Sequence, residues 1–380
     1  MNILLTGGRA PAALELARVF HRAGHTVFMA ESLRGHLSQP SNAIKANFVV
    51  PAPRQDRDAY IVALKKIIEE NKIDLLIPTC EEIFHIAMRR DELPCTVFAE
   101  PIKKLDLLHN KWEFISTAVD YDLSIPETTL VKTMDNLFHA FTNWREIVLK
   151  PIYSRFATRT QLLVTLKQAS ATLKAQPNST WVAQAYMKGT EICTYSVCHD
   201  GRMAAHTAYE STYTAGQGAA IVFQHIDHPA IFNWVRTFVA RSHFTGQIAF
   251  DFIQTPDGQI YALECNPRAT SGVHLLASNP RFAEAFLKPP IDCITPLDNS
   301  SHMLSTAMLI YALPVAFKEN NLRQWMNTFF TSNDVILNFK DPLPFLLQFR
   351  SLLAYMRLAR QKGISPIEAS TFDIEWNGEG

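Results

Sequence analysis

Over the first hundred residues, short apolar runs alternate with longer stretches in which apolar residues recur every three or four positions. Ile3-Leu4-Leu5 precedes a Gly7-Gly8 turn, a helix predicted over 12–23 and then Gly24, after which Thr26-Val27-Phe28-Met29-Ala30 reads as a second strand. A glycine just past a helix lets the chain turn left-handed, so this stretch is a β-α-β unit. The pattern continues with Phe48-Val49-Val50, a helix over 58–71, a strand over 74–78, a helix over 81–89 and Cys95-Thr96-Val97-Phe98. Strands that alternate with helices predict an open parallel sheet covered on its faces.

Residues 104–124 read as one helical stretch, broken at Ile125-Pro126 before the extended segment Thr128-Thr129-Leu130-Val131. From Ile147 to Leu263 the chain becomes β-rich with long loops. An α+β region therefore follows the α/β one. Beyond Phe286 the pattern is less regular: 303–313 is apolar, 343–359 is a strongly apolar helix, and Thr371-Phe372-Asp373-Ile374-Glu375-Trp376 alternates like a last strand. The helix over 343–359 contains Gln348, Arg350 and Arg357, so it should not span a bilayer. The opening Met1-Asn2-Ile3-Leu4-Leu5-Thr6-Gly7 lacks a basic start and reads as a strand rather than a signal peptide.

Length changes the picture first, because 380 residues suit two or three domains. With 47% apolar and 19% charged residues, the whole chain should fold. Lys plus Arg and Asp plus Glu each number 36, which gives no net field for a polyanion and argues against general nucleic-acid binding. The 14 glycines include no G-x-x-x-x-G-K-[ST] run, so a P-loop is excluded. The six cysteines never approach C-x-x-C spacing and read as reduced core thiols of a cytoplasmic protein.

Candidate chemistry begins at Gly7-Gly8, which together with Glu31 at the end of the second strand starts a dinucleotide-binding fingerprint. The fingerprint is incomplete, since Pro11 sits where the helix opens. A turn that only starts a helix is the leading reading, ahead of an NAD site or a nucleotide or substrate contact. The sharper segment is Gln247-Ile248-Ala249-Phe250-Asp251-Phe252-Ile253, a Pro256-Asp257-Gly258 turn, and Gln259-Ile260-Tyr261-Ala262-Leu263-Glu264-Cys265-Asn266. This is a hairpin in which Asp251 and Glu264 can face each other, with Asn266 two residues on and on the same face. Two carboxylates and an amide oxygen held together call for a cation, and hard oxygen donors that leave room for phosphates suit Mg²⁺, with Mn²⁺ as the substitute. The alternative is an ordinary exposed hairpin with polar strand ends.

These residues resemble the ATP-grasp superfamily, over residues 1 to about 285. The run Glu264-Cys265-Asn266-Pro267-Arg268 is similar to that family's E-x-N-x-R metal and phosphate signature, and Val148-Leu149-Lys150-Pro151 resembles the strand whose lysine meets the ATP phosphates. Gln184-Ala185-Tyr186-Met187-Lys188-Gly189-Thr190-Glu191 resembles the hinge that holds adenine. The resemblance implies an adenine contact for Gln184, backbone bonds to the base from Ala185 and Met187, a ribose contact for Glu191 and phosphate contacts for Lys111 and Lys150. It implies Asp251, Glu264 and Asn266 as metal ligands, and Arg268 with Lys150 as the catalytic charges. The implied fold is a Rossmann-like unit over 1–105, a linker helix and small lobe over 106–190 and a large lobe with the metal over 191–290; residues 291–380 are left as a C-terminal extension, helical with a possible last strand.

The sequence departs from the family in two places. The loop after Lys150, usually rich in glycine, is Ile152-Tyr153-Ser154-Arg155-Phe156-Ala157-Thr158-Arg159-Thr160, so Arg155 or Arg159 would replace backbone amides on the phosphates. Ala249 stands where D-alanine–D-alanine ligase has an arginine, which leaves that charge to Arg268. Ser271-Gly272 is expected to open a helix whose free amides hold the acyl substrate. The expected activity is ATP-dependent activation of a carboxylate as an acylphosphate for attack by an amine, with ADP and phosphate released. Carboxyphosphate or carbamoyl phosphate chemistry and a non-catalytic nucleotide-binding protein are the alternatives. The expected partners are small carboxylate and amine substrates, with no nucleic acid and no membrane span, and self-association is open.

Overall fold

The computed structural model describes residues 1–154, 160–176, 179–215 and 219–378. Five parallel strands, β1 (Asn2–Thr6), β2 (Thr26–Glu31), β3 (Ala46–Val49), β4 (Leu75–Ile77) and β5 (Thr96–Val97), make the first sheet in the order β3-β2-β1-β4-β5. Helices α1 (Pro11–Arg22), α2 (Arg57–Asn71) and α3 (Glu82–Met88) connect them. Successive strand residues point to opposite faces. Leu4, Phe28 and Leu76 accordingly pack with Leu64 and Phe84, while Ile3, Leu5 and Met29 pack with Leu16 and Phe20. Cover on both faces explains why these strands read as unbroken apolar runs.

The chain reverses its winding between β1 and β4, and a sheet of this kind opens a crevice at the carboxyl ends of those strands. Gly7 (φ +77°) turns there: a Cβ on it would lie 2.5 Å from Thr79 Oγ1, so only glycine fits. The turn opens α1, as the leading reading expects. Glu31 is engaged from within, because Arg9 Nε donates to both of its oxygens at 3.1 Å. Arg9 Nη2 also reaches Asp373 Oδ2 at 2.9 Å. A buried carboxylate held by a buried guanidinium no longer offers itself to a ribose.

That same ion pair corrects the expected last strand. Residues 371–376 form a turn, with the amides of Ile374 and Glu375 both donating to the Thr371 carbonyl at 3.0 and 2.9 Å. The alternation that resembles a strand serves instead to send Asp373 to Arg9 and to stack Trp376 on Phe84, centroids 5.9 Å apart. The helix expected over 104–124 is two helices, α4 (Ile102–His109) and α5 (Lys111–Asp120). Asn110 between them is extended (ψ 114°), and its side chain caps α5 by accepting from Trp112 N at 3.0 Å.

A three-stranded antiparallel sheet follows, built from β6 (Thr128–Val131), β7 (Ile147–Pro151) and β8 (Trp181–Ala185) in the order β6-β8-β7, with α6 (Met134–Asn143) and α7 (Leu166–Ala175) closing a small core around Leu149 and Trp181. The largest sheet contains β9 (Thr190–His199), β10 (Arg202–Ala215), β11 (Ala219–Ile226), β12 (Gly246–Gln254), β13 (Ile260–Asn266), β14 (Ser301–Met303) and β15 (Asn333–Asp334), ordered β13-β12-β9-β10-β11-β14-β15. Helix α8 (Pro229–Ser242) covers it, with Trp234 and Phe238 against Phe250 and Phe252. The short helices α9 (Gly272–Leu276) and α10 (Glu284–Leu287) follow β13.

Residues beyond 290 form helices and also extend this sheet through β14 and β15. Their helices are α11 (Ser305–Ala307), a π-helical turn over Met308–Ala312, α12 (Leu313–Lys318), α13 (Leu322–Thr331), α14 (Leu343–Lys362) and α15 (Pro366–Ala369).

Candidate functional site

The β12–β13 hairpin sets Asp251 directly opposite Glu264, as the sequence predicts. Its turn closes through Gly258 N donating to Thr255 O at 2.8 Å, with Gly258 at φ +85°. Phe250, Phe252, Ala262 and Cys265 point into the core under α8, so the other face of both strands carries the polar residues. Asn266 Nδ2 donates to Asp251 Oδ2 at 3.3 Å, and Glu264 Oε1 lies 3.5 Å from it. The three side chains expected as metal ligands therefore meet.

Two lysines join them from other elements. Lys111 opens α5, where its backbone amide donates to Ile152 O at 3.0 Å, and its buried Nζ lies 3.0 Å from Glu264 Oε2. Lys150 is buried on β7 and donates to Gln184 Oε1 on β8 at 2.9 Å. Gln184 in turn donates to Thr128 Oγ1 at 3.0 Å, so both ends of the amide are held and its plane is set before any ligand arrives.

Charge balance follows from this packing. Burial would raise Glu264, but the Lys111 and Lys150 ammonium groups outweigh it and hold the carboxyl below its usual range. Burial, and then the charge of Glu264, hold Asp251 above its usual range. Burial pushes Lys150 down to about 8; Glu264 opposes the shift and Lys111 adds to it. A lysine lowered in this way gains most from an arriving anion.

The hinge after β8 is partly as expected. The Ala185 amide already donates to Glu127 O at 2.9 Å, and Tyr186 N to Glu146 O at 3.0 Å. Among the described residues Met187 N has no such partner. Gly189 lets the chain enter β9 beside β12, since a Cβ there would sit 2.1 Å from Gln254 O. Glu191 is exposed two positions along β9 from Cys193, the residue paired with Asp251. Arg155 and Arg159 lie outside the described residues.

Arg268 follows a tight turn in which its amide donates to Asn266 O at 2.8 Å. Its guanidinium donates to Asn266 Oδ1 at 3.3 Å and to Ala269 O at 3.2 Å, and its Nε stands 3.9 Å from Glu81 Oε1. Glu81 is a site residue that sequence reasoning missed. The available signal was its place in Cys80-Glu81-Glu82, just after β4 at the crevice. The C-terminal segment was missed as well: Trp376 N donates to Glu81 Oε2 at 3.1 Å, and its indole donates to Asp106 Oδ1 at 2.7 Å. Asp106 also accepts from Tyr153 OH at 3.0 Å, three residues past Lys150.

The expected anion site at Ser271-Gly272 is corrected. The amides of Val273 and His274 already donate to the carbonyls of Thr270 and Ser271 at 3.2 and 3.1 Å, and the five-residue α9 packs its first glycine against Tyr195. The carbonyls of Thr270 and Ser271 engage two of the donors that an open helix start would offer.

Among the described residues no three His, Cys, Asp or Glu side chains form a metal cage. The set present is two opposed carboxylates, with the Asn266 amide turning its Nδ2 to them and its Oδ1 to Arg268. This fits Mg²⁺, which takes few protein oxygens and fills its remaining positions with water and phosphate.

Neither a family model nor a curated relative matches the sequence. Solved structures do match in fold. N5-carboxyaminoimidazole synthetase from Staphylococcus aureus, complexed with ADP, superposes with a TM-score of 0.66 at 15% identity over 84% of this chain and 86% of that one. The biotin carboxylase domain of 2-oxoglutarate carboxylase from Hydrogenobacter thermophilus, with MgADP and bicarbonate, gives 0.64 at 12% identity over 79% and 73%. L-amino acid ligase from Bacillus licheniformis gives 0.61 at 15% identity over 79% and 78%.

Proposed function

We propose that this chain, which has the ATP-grasp fold, is an ADP-forming ligase that activates a carboxylate as an acylphosphate for attack by an amine. The reading rests above all on one observation: Asp251 and Glu264 directly opposed in register, with buried Lys111 on Glu264 and Lys150 alongside. That arrangement supports the reading because phosphoryl transfer needs fixed cations for the phosphate charge and hard anions for a divalent cation.

In this reading the N-terminal sheet is a Rossmann-like unit over 1–105, followed by the small lobe over 106–190, the large lobe over 191–290 and the extension over 291–380. Gln184 and the Met187 amide hold the base, Glu191 the ribose, and Lys111 and Lys150 the phosphates. Asp251, Glu264 and Asn266 would hold Mg²⁺ or Mn²⁺, which would neutralise charge on the phosphate oxygens. Arg268, flanked by Glu81 and Asn266, faces the transferring group.

Product analysis tests the activity. Incubation with ATP, Mg²⁺ and a panel of amino acids and small carboxylates is expected to release ADP and phosphate; AMP and pyrophosphate as stoichiometric products would exclude phosphoryl transfer to a carboxylate. A second reading, with bicarbonate as the carboxylate, draws support from the likeness to the carboxyaminoimidazole synthetase and to the biotin carboxylase domain. It is separated by ADP release that depends on bicarbonate alone.

A pH profile tests Lys150. The free protein's Lys150 is cationic below about 8 and neutral above it. Because the phosphates need the cation, kcat/KM for ATP should fall as pH rises past 8, by about tenfold per unit. Lys150→Arg, which stays charged, should lose that limb; the same limb in both proteins would assign it to another group.

A further inference from the structure

Helix α14 is the longest helix among the described residues, and its two sides differ. At 3.6 residues per turn, Pro344, Gln348, Ser351 and Ala359 fall on one line, and all four are buried. Ser351 Oγ donates to Gly35 O at 2.8 Å, and Gln348 Oε1 accepts from Thr306 Oγ1 at 2.7 Å, so the helix is docked by this side. The opposite line is not polar. Leu343, Leu346, Phe349 and Leu353 lie there with exposures of 49, 62, 56 and 48%, and Phe339, in the loop just before the helix, is 91% exposed.

The same outward line carries exposed Arg350, Arg357 and Arg360. Among the described residues none of the three pairs with a carboxylate. Residues 335–367 contain five cations and one carboxylate, Asp341, although the whole chain balances 36 against 36. Asp341 is turned inward, 2.9 Å from Arg18 Nε and 2.7 Å from Ser41 Oγ. The outward face is therefore apolar and purely cationic.

We infer that this face of α14, with Phe339, seats on an anionic phospholipid surface. Such a surface offers negative headgroups to the arginines and an acyl boundary to the leucines and phenylalanines, in one plane. A second copy of this chain fits less well, because a twofold contact lays the same face on itself and brings arginines together with no carboxylate to pair them. No helix among the described residues is long and apolar enough to cross a membrane, so the contact lies along the interface.

Sedimentation of the full-length protein with vesicles tests this. The protein is expected to co-sediment with phosphatidylglycerol-containing vesicles and not with pure phosphatidylcholine, and to be released as salt is raised. The double variants Leu346→Gln with Phe349→Gln, and Arg350→Glu with Arg357→Glu, should each weaken binding at least about tenfold. All of these positions are exposed, so melting temperature and ATP turnover should match the parent's. Failure of the parent protein to bind anionic vesicles, or equal binding to neutral ones, overturns the inference. So does light scattering that shows the parent as a dimer and the leucine–phenylalanine variant as a monomer, which gives the face to a second copy.

Discussion

Replacing Glu264 with glutamine is expected to abolish ATP turnover, by about 10³-fold or more, while the protein stays folded. The size follows from the site's charge arrangement. Glu264 is the carboxylate that Lys111 touches at 3.0 Å and that, together with Asp251, completes the anionic pair for the metal. Losing one ligand charge removes several kcal/mol of charge stabilisation from the transition state, and each 1.36 kcal/mol is about tenfold in rate. Stability should fall measurably, because the lysine end of the Glu264 ion pair is buried and loses its partner, but the variant should remain folded. The substitution also relieves the repulsion that, after burial, holds Asp251 above its usual range. ADP release and thermal melts of the purified variant decide the matter: parent-like turnover would remove Glu264 from the metal site.

The second large effect is expected at Arg268. Its guanidinium spans three acceptors in different directions, Asn266 Oδ1 at 3.3 Å, Ala269 O at 3.2 Å and Glu81 Oε1 at 3.9 Å. A planar fork can keep part of that network while binding two oxygens of the transferring group. Lysine keeps the charge but reaches one direction at a time. Arg268→Lys should therefore lower kcat by about 10²-fold, on the scale of losing one preorganised donor, with little change in the affinity for ATP. Single-turnover rates and nucleotide titration separate the outcomes. A near-normal rate would make Arg268 a structural partner of Glu81, and joint loss of rate and ATP binding would move it to the nucleotide.

The chemistry was most legible where it lies within one hairpin. Period-two alternation, a tight glycine turn and two buried-side carboxylates let Asp251, Glu264 and Asn266 be placed together from the sequence, because register within a hairpin is set by the turn between its strands. The same local logic placed the strands of the first sheet, whose two covered faces leave apolar runs, and the long helix α14. Tertiary structure decided the rest. Glu81 comes within 4 Å of Arg268 only because the first sheet's crevice packs beside the large sheet, a distance no local pattern encodes. Trp376 reaches Glu81 and Asp106 from almost three hundred residues away. The alternation over 371–376 read as a strand, yet a buried Arg9 waiting for Asp373 turned it into a clasp. Likewise, at the helix start, the amides of Val273 and His274 are engaged by the carbonyls of Thr270 and Ser271. The sequence by itself determined most of the elements and the carboxylate hairpin through short-range periodicity; which partners meet across the cleft was left to long-range packing of surfaces that each segment carries without naming its mate.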